Sequence, residues 1–107
     1  MSTMSDEDWR SLVGSDPLPR FTPHTLTTVE LLAPEIEQAR SDGYAVDHEE
    51  ADEDLTCIAA PVPGPRPGPA QYAVSVSFLT HRLDGDTINE VGARVSAAAR
   101  SIGERLY

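Results

Sequence analysis

Residues 55–79 read LTCIAAPVPGPRPGPAQYAVSVSFL: two strand-like runs around a stretch in which every second residue is proline. Proline fixes φ and has no amide donor, so this stretch cannot be helix. It predicts a stiff connector between two antiparallel strands, Leu55–Val62 and about Gln71–Leu79, with Pro63–Pro69 as the loop. Side chains alternate faces along a strand. Val74, Val76 and Phe78 then point one way, and Ala73, Ser75 and Ser77 the other. In the first run Ile58, Ala60 and Val62 oppose Cys57 and Ala59. A third short strand, Tyr44–Asp47, sets Tyr44 and Val46 against Ala45 and Asp47. Each strand thus offers one bulky apolar face and one face of small groups.

Helical signals surround these strands. Ser5 followed by Asp6, Glu7 and Asp8 is a hydroxyl cap with carboxylates at the positive end of a helix. Trp9, Leu12 and Val13 share a face, and Gly14 ends that helix after about two turns. DPLPRFTPHT then forms an extended connector. Thr27 or Thr28 caps a second helix with a stripe of Val29, Leu32, Ile36 and Ala39, closed by Gly43. Pro34 inside it predicts a kink, or a break at which the helix restarts. A last helix, capped by Asp84 or Asp86, carries the longest periodic stripe: Ile88, Val91, Val95, Ala98, Ile102, Leu106. Gly92 and Gly103 within it leave room for close packing. The predicted order is α-α-β-β-β-α, an α+β arrangement with a thin sheet and at least one open edge.

A chain of 107 residues accommodates one small domain. Its net charge of −10 and eight unclustered basic residues argue against direct nucleic-acid contact. One cysteine excludes an internal disulfide framework and a cysteine-rich zinc module, and suits a reducing cytoplasm. No apolar run approaches the ~20 residues of a membrane span, and the acidic N-terminus lacks a signal pattern.

The small-residue face holds Ala45, Asp47, Cys57, Ala59, Ala73, Ser75 and Ser77. Small side chains leave room for a ligand, and hydroxyls, a thiol and a carboxylate can hydrogen-bond one. A plain surface, or a face covered by another element, are the alternatives. Cys57 as a nucleophile with His48 or His81 as base is disfavoured, because no spacing places either histidine beside it. The acidic run from Asp47 to Asp54 lacks the glycine and closing glutamate of a calcium loop and reads as solvated. His24, His48 and His81 have no metal-ligand spacing and read as surface residues. PVPGPRPGP contains no PxxP, so SH3-type recognition is not favoured. No metal, cofactor or catalytic residue is expected.

LPRFTPHTLT, a helix, GYAVDHEEADEDLTCIAAPV, AVSVS, RLD and a closing amphipathic helix together resemble the C-terminal effector-binding domain of IclR-family transcriptional regulators. GYAVD at 43–47, CIAAPV at 57–62 and SVS at 75–77 carry the likeness, which runs from about Ser5 to Leu106. The resemblance implies a GAF-like antiparallel sheet flanked by helices, here incomplete, in a cytoplasmic regulator that forms dimers or tetramers. It implies a small organic acid as effector, contacted by Asp47, Cys57, Ser75 and Ser77. The family's winged helix-turn-helix, linker helix and first half of the sensor domain have no counterpart in residues 1–107. The chain is therefore expected to be the C-terminal part of the sensor domain, without DNA contacts of its own, with a pocket open on one side and weak or absent effector binding in isolation. A stand-alone module that pairs with full-length regulators is the alternative.

Overall fold

The computed structural model describes residues 1–82 and 84–107. Leu83, the centre of the RLD segment, lies outside the described residues. Three helices and three strands follow in the expected order: α1 (Asp6–Val13), α2 (Val29–Asp42), β1 (Ala45–His48), β2 (Leu55–Val62), β3 (Tyr72–Leu79) and α3 (Gly85–Leu106), with a 3-10 turn at Thr80–Arg82. The caps are those the sequence announces. Ser5 Oγ accepts from Asp8 N at 3.1 Å, Thr28 Oγ1 from Leu31 N at 3.2 Å, and Asp84 Oδ1 from Thr87 N at 2.7 Å. The bond from Thr87 also holds the Asp84 carboxyl below its ordinary pKa. Gly43 closes α2 in the left-handed region at φ 82°, which glycine adopts without strain.

Pro34 sits inside α2, and the helix neither ends nor restarts there. Pro34 lacks one backbone donor, but residues on both sides keep helical geometry. The first strand begins one residue later than expected, at Ala45. Tyr44 instead lays its ring against α3, and its hydroxyl donates to Asn89 Oδ1 at 3.1 Å. The proline-rich connector is longer than expected and spans 63–71.

The sheet is antiparallel with order β1-β2-β3. β2 is therefore the central strand. Its register pairs Val46 with Ile58 and Ile58 with Val76, and pairs Asp47 with Cys57 and Cys57 with Ser77. Along β2 fully buried and half-buried residues alternate without exception. Thr56, Ile58, Ala60 and Val62 face α3, and the core is Ile58, Ala60, Val62, Val95 and Ala99 with Tyr44, Val46, Val74, Val76 and Phe78 around it. Burying a side chain such as Ile58 contributes about 1.5–3 kcal/mol.

The first half of the expected α3 stripe faces the core, with Val95 buried and Ile88 and Val91 packed against it, but the second half is turned away. The buried residues of α3 are Gly92, Val95, Ser96, Ala99 and Gly103, whereas Ala98 is exposed, as are Ile102 (39 %) and Leu106 (57 %). At 100° per residue the mean directions of the expected and the buried sets differ by roughly 70° about the helix axis. Close approach is the cause. A Cβ at Gly92 would stand 2.4 Å from Tyr44 Cε2, and one at Gly103 would stand 2.5 Å from the Pro63 carbonyl oxygen. The small residues, not the larger apolar ones, let the helix seat on the sheet.

Alanine in a helix interior normally stabilises by about 0.5–1 kcal/mol relative to glycine. Here the sign is expected to reverse. Gly103→Ala drives a methyl into the backbone of Pro63, and overpacking of this kind costs about 1–3 kcal/mol. Urea denaturation should place its midpoint below that of the unaltered chain. Gly85→Ala, where a Cβ meets nothing within 4 Å, is the control.

Candidate functional site

With α3 on the bulky face, the opposite face of the sheet meets α2, the loop after β1 and the N-terminal residues. Between them lies a cavity of about 680 Å³. The sheet contributes Ala45, Asp47, Cys57 and Ala59; α2 contributes Leu32, Glu35, Ile36 and Ala39. Phe21 and Leu26 from the connector, Glu50 from the loop and Met1–Thr3 complete the wall.

All four expected site residues sit on this one face of the sheet, because Asp47, Cys57 and Ser77 pair in register and Ser75 pairs with Ala59. Asp47 and Cys57 line the cavity. Ser77 is exposed and is not a lining residue; its Oγ lies 3.1 Å from Cys57 Sγ. Ser75 is exposed and is not among the lining residues. Asp47 also shapes the loop that follows it, since its Oδ1 accepts from Glu50 N at 2.8 Å.

That loop is tied down on several sides. Glu49 N donates to Leu55 O at 3.1 Å, and Glu49 Oε1 accepts from Asp54 N at 2.9 Å. Thr22 Oγ1 donates to Glu49 O and Thr25 Oγ1 to Glu50 O, which brings the TPHT connector against the cavity rim. His24 pairs with Glu49 at 3.5 Å, so this surface histidine belongs to the same network. Among the described residues no group of three or more His, Cys, Asp and Glu side chains is placed to hold a metal ion.

Glu50 is a cavity residue that the strand alternation does not reveal. Burial pushes its carboxyl above the ordinary range, and Asp47 and Glu35 push the same way, while the 2.9 Å bond from His48 N to Oε2 opposes them. α2 is also more than a scaffold: its Leu32–Ile36–Ala39 stripe roofs the cavity. The N-terminal wall hangs on one residue of that helix. Arg40 donates to Ser2 O at 3.1 Å, to Met4 O at 2.6 Å and to Asp6 Oδ1 at 2.9 Å, and also pairs with Glu37. Asp6 Oδ1 accepts from the indole of buried Trp9 as well, at 3.1 Å. Those two donors hold the Asp6 carboxyl below its usual value. Thr3 Oγ1 accepts from Ala70 N at 3.0 Å on the far side.

One face of the sheet in this α+β domain is thus sealed by a helix, and the other floors a cavity that Asp47 and Cys57 line. A family model described as "Bacterial transcriptional regulator IclR C-terminal" matches residues 1–104. The HTH-type transcriptional regulator KdgR of Dickeya chrysanthemi is 35% identical over 100 residues, covering 94% of this chain and 32% of that protein. The crystal structure of the C-terminal domain of E. coli KdgR superposes with a TM-score of 0.84 at 33% identity, covering 97% of this chain and 63% of that one. The inducer-binding domain of PobR from Acinetobacter, solved as a 3-hydroxybenzoic acid complex of a double mutant, superposes with a TM-score of 0.79 at 22% identity, covering 95% of this chain and 58% of that one. The chain belongs to the IclR family of bacterial transcriptional regulators and matches their C-terminal effector-binding domain. Its relatives are regulators and not enzymes. It spans about a third of the length of the curated relatives it matches.

Two outcomes follow from this geometry. Arg40→Met should release the N-terminal wall: amide exchange at Met4–Asp6 speeds up while β2 stays protected, and Trp9 fluorescence shifts because Asp6 has lost a partner. For Glu50 the folded-state pKa is raised, so its neutral form contributes stability below the unfolded carboxyl range, and that contribution is lost as pH rises through the folded value. Glu50→Gln stays neutral throughout. Thermal melts should show it more stable than the unaltered chain at pH 7.5, with the gap closing towards pH 4.

Proposed function

We propose that the chain is the C-terminal part of the effector-binding domain of an IclR-type regulator and that the cavity between α2 and the sheet is its effector pocket. The observation that carries this reading is the cavity of about 680 Å³ with Asp47 and Cys57 in its wall and Ser77 bonded to that thiol. The volume suits a small organic molecule. The PobR domain, of the same fold, holds 3-hydroxybenzoic acid. A small organic acid fits here with its apolar part under Leu26, Leu32 and Ile36 and its oxygens towards Cys57 and Ser77. Asp47 accepts from an effector hydroxyl or fixes a water, and Ser75 borders the pocket from the next position of the same face.

Regulation then works by population shift. An effector that favours one arrangement of a sensor dimer or tetramer changes how paired winged helices are spaced on an operator. DNA contact belongs to such a winged helix and not to residues 1–107, whose net charge is −10. A regulator of this type acts in the cytoplasm, and among the described residues no helix is long and apolar enough to cross a membrane.

A second reading is an interaction module that pairs with full-length regulators. Exposed Ile102 and Leu106 on α3 and exposed Leu79 on an edge strand favour it. Co-purification of the tagged chain with an IclR-type regulator supports this reading; a monomer that retains none counts against it.

The pocket is tested by NMR titration of the chain with 3-hydroxybenzoate and other small organic acids, up to millimolar concentration. Shifts should concentrate at Ala45, Asp47, Glu50, Cys57 and Ala59. Cys57→Leu, which fills the cavity from its floor, should weaken binding at least about tenfold, the effect of ~1.4 kcal/mol. Shifts spread over the α3 side, or affinity unchanged in Cys57→Leu, refute the assignment.

A further inference from the structure

Three carboxylates line the cavity: Glu35 from α2, Asp47 from β1 and Glu50 from the following loop. None of the described lining residues is a lysine, arginine or histidine. An organic acid entering as its anion is a fourth negative charge in a partly desolvated space, where like charges repel far more than in bulk water. Two carboxylates confined to one site resolve this repulsion by sharing a proton.

Of the three, Glu35 is exposed, whereas Asp47 and Glu50 are half-buried. Asp47 Oδ1 accepts from the Glu50 amide at 2.8 Å. Glu50 Oε2 accepts from His48 N at 2.9 Å, and Oε1 is the oxygen left to carry a proton. The charged groups facing Glu50 are Asp47 and His48 from β1 and Glu35 from α2. Asp47 and Glu35 oppose its ionisation; the His48 side chain favours it but is exposed. Neighbouring Glu49 is engaged by His24. Burial adds to the same preference for a neutral Glu50.

We propose that an organic acid effector binds this cavity together with one proton, shared between an effector carboxyl oxygen and Glu50 Oε1. This inference rests on the effector-pocket reading. One carboxylate and one solvent proton enter; one O–H donates and the other carboxylate accepts; dissociation returns both, and no bond between heavy atoms changes. The affinity of such a pocket falls as pH rises, so the sensor reports an acid together with the acidity around it.

The test is calorimetry of the chain with benzoate and with pyruvate at pH 5.5 and 7.5, at the higher pH in both phosphate and Tris, whose ionisation enthalpies differ. The expected result at pH 7.5 is uptake of about one proton per bound acid. Affinity should weaken by about tenfold per pH unit once both carboxyls are ionised in the free species. Glu50→Gln should bind at pH 7.5 about as tightly as the unaltered chain does at pH 5.5, with no buffer dependence. Its amide donates where the shared proton did. Binding of either acid without proton uptake overturns the coupling and leaves the pocket reading standing. Buffer dependence that persists in Glu50→Gln overturns the assignment to that residue. No binding of either acid at both pH values overturns the pocket reading and this inference together.

Discussion

The seating of α3 on β2 is the constraint from which the rest of the structure follows. Gly92 and Gly103 let the helix come so close that the Tyr44 ring and the Pro63 carbonyl occupy the space of the missing methyl groups. That contact uses up the bulky face of the central strand, Ile58, Ala60 and Val62. A strand cannot turn one residue without turning its neighbours, since a slip of one position moves every side chain to the other face. Sealing Ile58 against α3 therefore commits Cys57 and Ala59 to the opposite side, and antiparallel pairing brings Asp47 and Ser77 with them. The polar groups share a face because the apolar ones have been placed.

Much of this is legible in the sequence. The alternation along 55–62 and 72–79 is a local property, and it puts Asp47, Cys57, Ser75 and Ser77 on one face, as the register does. Caps are legible for the same reason, as each rests on a side chain within three residues of the amide it serves. The facing row in the second half of α3 is not. A periodicity reading weighs large apolar side chains, so it favours Ala98, Ile102 and Leu106 over Ser96, Ala99 and Gly103. The choice between those rows is made by the distance of closest approach, a property of two elements at once.

The same limit explains the site residues that the strands do not reveal. Glu50 enters the cavity because Asp47 and Thr25 fold the loop back on the connector, across 25 residues of sequence in the second case. Glu35 flanks the apolar stripe of α2 and so reads as a solvated position in sequence, yet the stripe roofs a cavity and its flank becomes wall. Ser75 marks the converse case. It has the right parity, but β3 is an edge strand and Ser75, like Ser77, is exposed, with Ala73 the one member of that row among the lining residues.

Arg40 connects the cavity to the remainder of the chain. A single guanidinium holds the backbone at Ser2 and Met4 and the carboxylate that also receives the Trp9 indole. Its planar fork of donors suits several acceptors at fixed angles, where a lysine would serve them only as a point charge. Met1–Thr3 is thus a wall fastened to α2, the helix that supplies the roof, and to Ala70 beside β3. An occupant that touches roof, floor and wall would contact all three segments at once. On the proposed effector-pocket reading, an occupant of the cavity would join them, and an arrangement completed by its ligand is one whose population a ligand can shift.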